Sequence, residues 1–349
     1  MSKVCGGMEV KKPDRLSPGD TIALLSPSSA AGHFFPHRVE RAASWFRAQR
    51  YHVLVMSTSN GLSGFSSGTV SERLSDLHGA FADPKVKAII CNIGGITANE
   101  LLSGIDYDLV GRNPKIFCGY SDVTLLLQAF LKKAGLVGFY GPAAMTQFAE
   151  FPEPWDYTVR NFYHATAEPK AMGKFQASEE WTDEVLAWGD VDLTRPRKRH
   201  PSDGWAWLKD GRASGPLTGG CLPSLLQLVG TPFQPEFKGR ILFLENPDGE
   251  QIDRGSPLSF VHSQLTDLKL SGVFDQIAAL FVSRPFGYDD EQRAQFREMV
   301  YRHLQGVRFP VLYNADFGHT DPILTLPLGV QSTLDSQLGQ WSVDEPAVA

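Results

Sequence analysis

The chain lacks the marks of several simple protein classes. Its 349 residues hold only four cysteines, Cys5, Cys91, Cys118 and Cys221, far apart and without a C-x-x-C pair. A disulfide scaffold and the common zinc sites are therefore not expected, and no metal is called for. No apolar run approaches the roughly 18 residues of a membrane span, so no membrane partner is expected. Basic residues show no surplus: 33 Lys and Arg face 39 Asp and Glu, a formal net charge of −6. That balance argues against a nucleic-acid partner, whose phosphates demand a basic face. Met1 to Arg15 carries charges but no apolar stretch of the signal-peptide kind, which makes the cytoplasm the expected compartment. There is no internal repeat and no complete G-x-G-x-x-G, so a dinucleotide site is weakly indicated and no cofactor is expected.

What is present is globular composition, 42% hydrophobic and 21% charged, in a chain long enough for two domains at about 100–200 residues each. After a loose leader (1–15), short apolar runs alternate with helical spacing. Thr21 to Leu25, Tyr51 to Met56, Val86 to Ile93, Ile116 to Tyr120 and Leu136 to Tyr140 read as strands. His37 to Arg50, Ser71 to Phe81 and Val123 to Lys133 read as helices, and Thr97 to Leu102 starts another. Strand–helix alternation predicts a doubly wound α/β domain with a parallel sheet, placed at 16–165. Residues 149 to 215 are rich in Pro, Trp and charge, and a Trp-rich linker or lid is expected at 166–212. Its basic string (Arg195, Arg197, Lys198, Arg199, His200) reads as a solvated loop. A smaller, β-rich C-terminal α/β domain (213–349) follows. Its helices are expected at Leu222 to Val229, Leu258 to Leu268 and Glu291 to Leu304. Its strands are expected at Arg240 to Leu244, Ile277 to Val282 and Pro310 to Tyr313, with closing β segments at Ile323 to Val330 and Gln340 to Val343.

Open α/β sheets bind ligands beyond the carboxyl ends of their strands. Polar residues directly after apolar runs are therefore the candidates: Gly94-Gly95, Ser121-Asp122, Glu245 and, slightly later, His319. A serine needs a base to take its proton, the histidine supplies one, and a carboxylate orients the histidine. Ser121 at a strand-to-helix turn would be lifted from the sheet, with the Asp122 and Gly95 amides as oxyanion donors. It is not a G-x-S-x-G elbow, since Val123 takes the place of the last glycine. Each residue also has a plainer role: Ser121 as a helix N-cap, Glu245 as a surface carboxylate, Gly94-Gly95 as a simple turn or phosphate loop. A free histidine base predicts activity falling below about pH 6–7.

These motifs resemble the LD-carboxypeptidase family of serine peptidases, and within it the microcin C immunity (MccF-like) branch. The matching segments are LSPGDTIALLSPSS, NIGGITANELL, NPKIFCGYSDVTLLL, GFYGPAA, GPLTGGCLPSLLQLVGTPFQPEFKGRILFLE and DFGHT. The resemblance implies Ser121 as nucleophile, His319 as base, Glu245 as its partner, and Gly95 and Asp122 as the oxyanion hole. It implies an active site at the interface of two domains, no metal, and a homodimer. Two substrate classes follow from it: the amide of a peptidyl or aminoacyl nucleotide, as in processed microcin C, or a murein peptide cut between an L- and a D-amino acid. Gly94, Trp181 and Trp188 are the expected substrate-binding residues, the tryptophans stacking on a base or else only packing the lid. A non-catalytic small-molecule binder on the same fold is the alternative of another class.

Overall fold

A computed structural model describes residues 10–189 and 191–349. Cys5 and the first nine residues of the expected leader lie outside the described residues. Two sheets organise the chain. The first runs Leu326–Pro327, Phe139–Tyr140, Ile116–Gly119, Val86–Cys91, Thr21–Leu25, His52–Val55 in spatial order. All neighbours are parallel except the first pair. Its strand order reverses between Thr21–Leu25 and Val86–Cys91, so the loops after these two strands flank the crevice where such sheets take ligands.

Helices Pro36–Ala48, Val70–Ala82 and Thr124–Ala134 belong to this half. Pro36 opens the first, where its missing N–H costs nothing. Thr69 and Glu72 form a capping box at the start of the second. Thr21–Leu25, Val86–Cys91 and Ile116–Gly119 are buried along almost their whole length, which is why they read as continuous apolar runs.

The second sheet has eight strands: Gly173–Lys174, Gln340–Val343, Gln331–Asp335, Arg212–Cys221, Ile241–Glu245, Ala279–Ser283, Val311–Ala315, Ala206–Lys209. The four from Arg212 to Ala315 are parallel and the flanking ones antiparallel. Side chains alternate along a strand, so each face has its own set. Leu242, Leu244, Leu280, Val282 and Val311 pack with the helices Leu258–Leu270 and Asp290–His303. Ile241, Phe243, Ala279, Phe281 and Leu312 instead join the core of the first sheet. One continuous core thus locks the two halves together. The helix Thr124–Ala134 adds polar ties: Gln128 donates to the Gly219 carbonyl at 2.6 Å, and the Cys221 amide donates to Thr124 Oγ1 at 3.0 Å.

The structure departs from expectation in several places, among them the strands Arg212–Cys221 and Gln331–Asp335, which were not expected. Residues 10–15 are not loose: the Lys11 amide donates to the Gly135 carbonyl at 2.8 Å, and Pro13 accepts from the Ala349 amide at 2.8 Å. A helix, Asp156–Thr166, lies where none was expected. The expected closing segment 323–330 is only the pair Leu326–Pro327, and it completes the first sheet, not the second. The basic string is not simply solvated. Arg195 holds Glu184 through two bonds of 2.9 Å, Arg199 holds Glu180 at 3.1 Å, and Arg197, its side chain 16% exposed, sits between Glu150 and Asp321. Arg197 fastens the lid segment to the body, while the other two pairs brace the segment internally. No helix among the described residues is long and apolar enough to cross a membrane.

Candidate active site

Ser121 stands one residue beyond Ile116–Gly119, after Tyr120, and enters the helix Thr124–Ala134 through one 3-10 turn. Its φ is +62°, a left-handed conformation that costs a non-glycine residue of order 1–3 kcal/mol and marks functional turns. Thr124 Oγ1 donates to the Ser121 carbonyl at 2.6 Å and steadies the turn. Ser121 is not a helix cap. Its Oγ lies 3.2 Å from His319 Nε2, and the starts of the 3-10 turn and of the helix carry no side-chain cap bond.

His319 Nδ1 lies 2.8 Å from Glu245 Oε2. Glu245 ends its strand, and its side chain is fully buried, which rules out the surface role. Its second oxygen, Oε1, accepts the Tyr140 hydroxyl at 2.7 Å. Gly318, at φ +92°, lets the histidine loop lie on the carboxylate: a Cβ there would fall 2.7 Å from Glu245 Cβ. Burial alone would push the imidazole pKa down. The Glu245 charge and hydrogen bond, then Asp248 and Asp321, outweigh burial and raise it. Asp248 Oδ1 stands 3.6 Å from His319 Nε2, and burial pushes the Asp248 carboxyl up. The rings of Tyr120 and Phe286 close on the imidazole at 5.1 and 6.1 Å.

The glycine pair sits against the serine. A Cβ on Gly94 would meet Ser121 Oγ at 2.9 Å and the Asp122 amide at 3.1 Å. A Cβ on Gly95, whose φ is +148°, would clash with Ser28 Oγ and lie 2.7 Å from the Ser29 amide. The Asp122 carboxylate points away from the serine. It accepts from Ser28 Oγ at 2.6 Å and from the Ala98 amide at 2.9 Å, tying together the loops after two strands. Burial raises its pKa, against the pull of these bonds.

The two expected tryptophans are placed differently. Arg38 covers a face of Trp188 at 4.4 Å, and Phe35 meets its edge at 5.5 Å. Trp181 has Arg284 and Arg293 over its ring at 5.0 and 4.9 Å and donates to the Pro201 carbonyl. Their described ring and hydrogen-bond partners do not include Ser121, Glu245 or His319. Sequence reasoning missed Tyr140, Asp248 and the Arg197–Asp321 pair. Only Asp248 carried a signal, its place three residues after Glu245.

A serine, an imidazole and a carboxylate linked in series at strand ends of an α/β fold are the arrangement of a serine hydrolase. Comparison with known proteins gives the family. The model of the LD-carboxypeptidase N-terminal domain matches residues 22–141, and that of the C-terminal domain matches 214–334. The microcin C7 self-immunity protein MccF of Escherichia coli is 31% identical over 334 residues, 95% of this chain and 94% of its own. The murein tetrapeptide carboxypeptidase of Pseudomonas aeruginosa is 27% identical over 282 residues, 79% of this chain and 81% of its own. A solved structure of MccF with aspartyl sulfamoyl adenosine superposes with a TM-score of 0.89 at 30% identity, covering 97% of this chain and 100% of that one. An MccF-like protein from Bacillus anthracis gives 0.86 at 30% identity, with 95% and 99% covered. The chain belongs to the LD-carboxypeptidase family and is an enzyme of the serine peptidase type.

Proposed function

We propose that the protein hydrolyses the amide that joins an aminoacyl or peptidyl group to a nucleotide, using Ser121, His319 and Glu245 as its triad. The observation that carries the chemistry is the unbroken series Ser121 Oγ, His319, Glu245, at 3.2 and 2.8 Å. His319 Nε2 takes the serine proton as Oγ attacks the carbonyl carbon. Glu245 fixes the tautomer with Nδ1 protonated and stabilises the imidazolium. The oxyanion forms beside Gly94, where the absence of a side chain leaves room, and the Gly95 and Asp122 amides are its donors. His319 then protonates the leaving nitrogen, the C–N bond breaks, and the acyl group stays on Ser121. Water, deprotonated by His319, releases it.

The nucleotide substrate is supported by the MccF complexes, which hold aspartyl sulfamoyl adenosine and glutamyl sulfamoyl guanosine on this fold. Trp188, with one face under Arg38, is the residue proposed to hold the base.

Mass spectrometry of products tests the reading, with wild type and Ser121→Ala given two substrates. Aspartyl sulfamoyl adenosine is expected to release aspartate with wild type only. Release of D-alanine from a murein tetrapeptide would instead make the protein a cell-wall recycling carboxypeptidase. Cleavage of neither substrate would overturn the proposed substrate.

A further inference from the structure

We propose that Tyr140 is the positioning residue of this site: its phenol, hydrogen-bonded to Glu245 and to the Ser121 backbone, holds carboxylate and nucleophile in one geometry across the junction of the two sheets. The inference rests on the triad reading above and deepens it.

Tyr140 ends the strand Phe139–Tyr140. On one side it pairs with Gly119, two residues before Ser121; on the other it pairs with Leu326, on the segment that follows His319. Its ring lies 6.4 Å from Tyr120, 5.2 Å from Phe243 and 6.5 Å from Phe317. Those three rings stand one residue before Ser121, two before Glu245 and two before His319. The ring is thus packed on the immediate support of each triad member.

Packing does not account for the hydroxyl. Phenylalanine would fill the same fully buried space, and a buried hydroxyl is costly unless it is bonded. Tyr140 donates its one proton to Glu245 Oε1 at 2.7 Å and accepts the Ser121 amide at 3.4 Å. Burial and the neighbouring Glu245 charge push its pKa far up, so the proton stays in place. The donated bond leaves Glu245 Oε2 as the oxygen that faces His319. The accepted one receives the Ser121 amide, which has no other bonded acceptor among the described residues. One oxygen atom therefore registers a serine held by the first sheet against a carboxylate held by the second.

The positioning role predicts an electrostatic effect beyond geometry. Removing the hydroxyl takes a donor from Glu245 and leaves more negative charge facing His319. The imidazolium is then more stable, and the acid limb of the rate profile moves to higher pH. A purely structural role would lower the rate without moving the limb.

The test is phosphonylation of Ser121 by a fluorophosphonate, followed by intact mass from pH 5 to 9. The Oγ–P bond forms, the P–F bond breaks, and the serine proton leaves through His319, so no knowledge of the natural substrate is needed. Tyr140→Phe is expected to slow labelling about 10- to 100-fold, the range seen when a partner that orients a site residue is lost, and to raise the acid limb. In a Glu245→Gln background Tyr140→Phe is expected to cost less than about 10-fold, because the bond to the carboxylate is already altered and the longer bond to the Ser121 amide is what remains to be lost. If Tyr140→Phe does not fold alone, the comparison of Glu245→Gln with the double variant decides. Labelling of Tyr140→Phe at the wild-type rate with an unmoved limb overturns the inference while the triad stands. A loss of about 10-fold or more in the Glu245→Gln background overturns it too. Equal labelling of wild type and Ser121→Ala, or none of wild type, brings down the triad reading itself.

Discussion

Gly94 and Ser121 stand so close that a Cβ on the glycine would lie 2.7 Å from the serine Cβ. Real side chains do not pack at that distance, so the glycine holds open the space into which the substrate carbonyl must come. Gly94→Ala is expected to lower kcat/KM at least about 100-fold, the scale of an ångström misplacement at the reacting atoms. Circular dichroism should report a folded protein. An alanine variant with wild-type turnover would place the reacting carbonyl elsewhere.

The backbone of Ser121 carries its own prediction. At φ +62° any residue with a Cβ is strained, whereas glycine is not. Ser121→Ala and Ser121→Gly are both expected to be inactive, but the glycine variant should be the more stable by about 1 kcal/mol. Denaturant melts of the two proteins measure the difference.

The pH dependence follows from His319. Its pKa is raised because Glu245, with Asp248 and Asp321 behind it, outweighs burial. The base must be neutral to act, so activity is expected to fall as pH drops through a value above that of an ordinary histidine. In stability terms, the imidazolium–Glu245 attraction is fully present below the ordinary histidine pKa and is lost as pH rises through the raised one. Glu245→Gln should move the acid limb of kcat down, since burial then dominates, while lowering kcat itself. A pH–rate series on both proteins checks the direction.

Arg197 offers a stability test. Its guanidinium neutralises Glu150 and Asp321, both nearly buried. Removing one partner of such a set leaves charge without compensation, which costs about 3–5 kcal/mol. Arg197→Ala is expected to lose that much in denaturant melts. Arg195→Ala, from a half-exposed pair with Glu184, should lose far less.

The parts of the site that were legible in the sequence are those whose signals are local. Ser121 and Glu245 follow apolar runs immediately, and the runs become strands because both faces of a parallel sheet are covered. Tyr140 was hidden because, at the end of an apolar run, a tyrosine reads as core; only the arrival of Glu245, 105 positions away, gives its hydroxyl a purpose. Arg197 was hidden for the same reason, since its partners lie 47 and 124 positions off. The helix Asp156–Thr166 starts at Trp155 with no capping side chain, so no start signal stood out in a stretch of proline, tryptophan and charge. The segment Ile323 to Val330 was legible as β but not its extent or its sheet: only Leu326–Pro327 forms a strand, at the edge of the first sheet, where a proline is tolerated.

That edge strand has a consequence for how the molecule can be cut. Residues 326 and 327 fall within the C-terminal family segment, yet they are the last rung of the N-terminal sheet. The two segments are therefore not interchangeable modules. A gene fragment stopping near residue 141 would leave Phe139–Tyr140 as an open edge, a template for aggregation. The C-terminal segment carries a piece of the N-terminal scaffold, so recombination between distant relatives would have to exchange both segments together. Split halves should regain their structure only as a complementing pair.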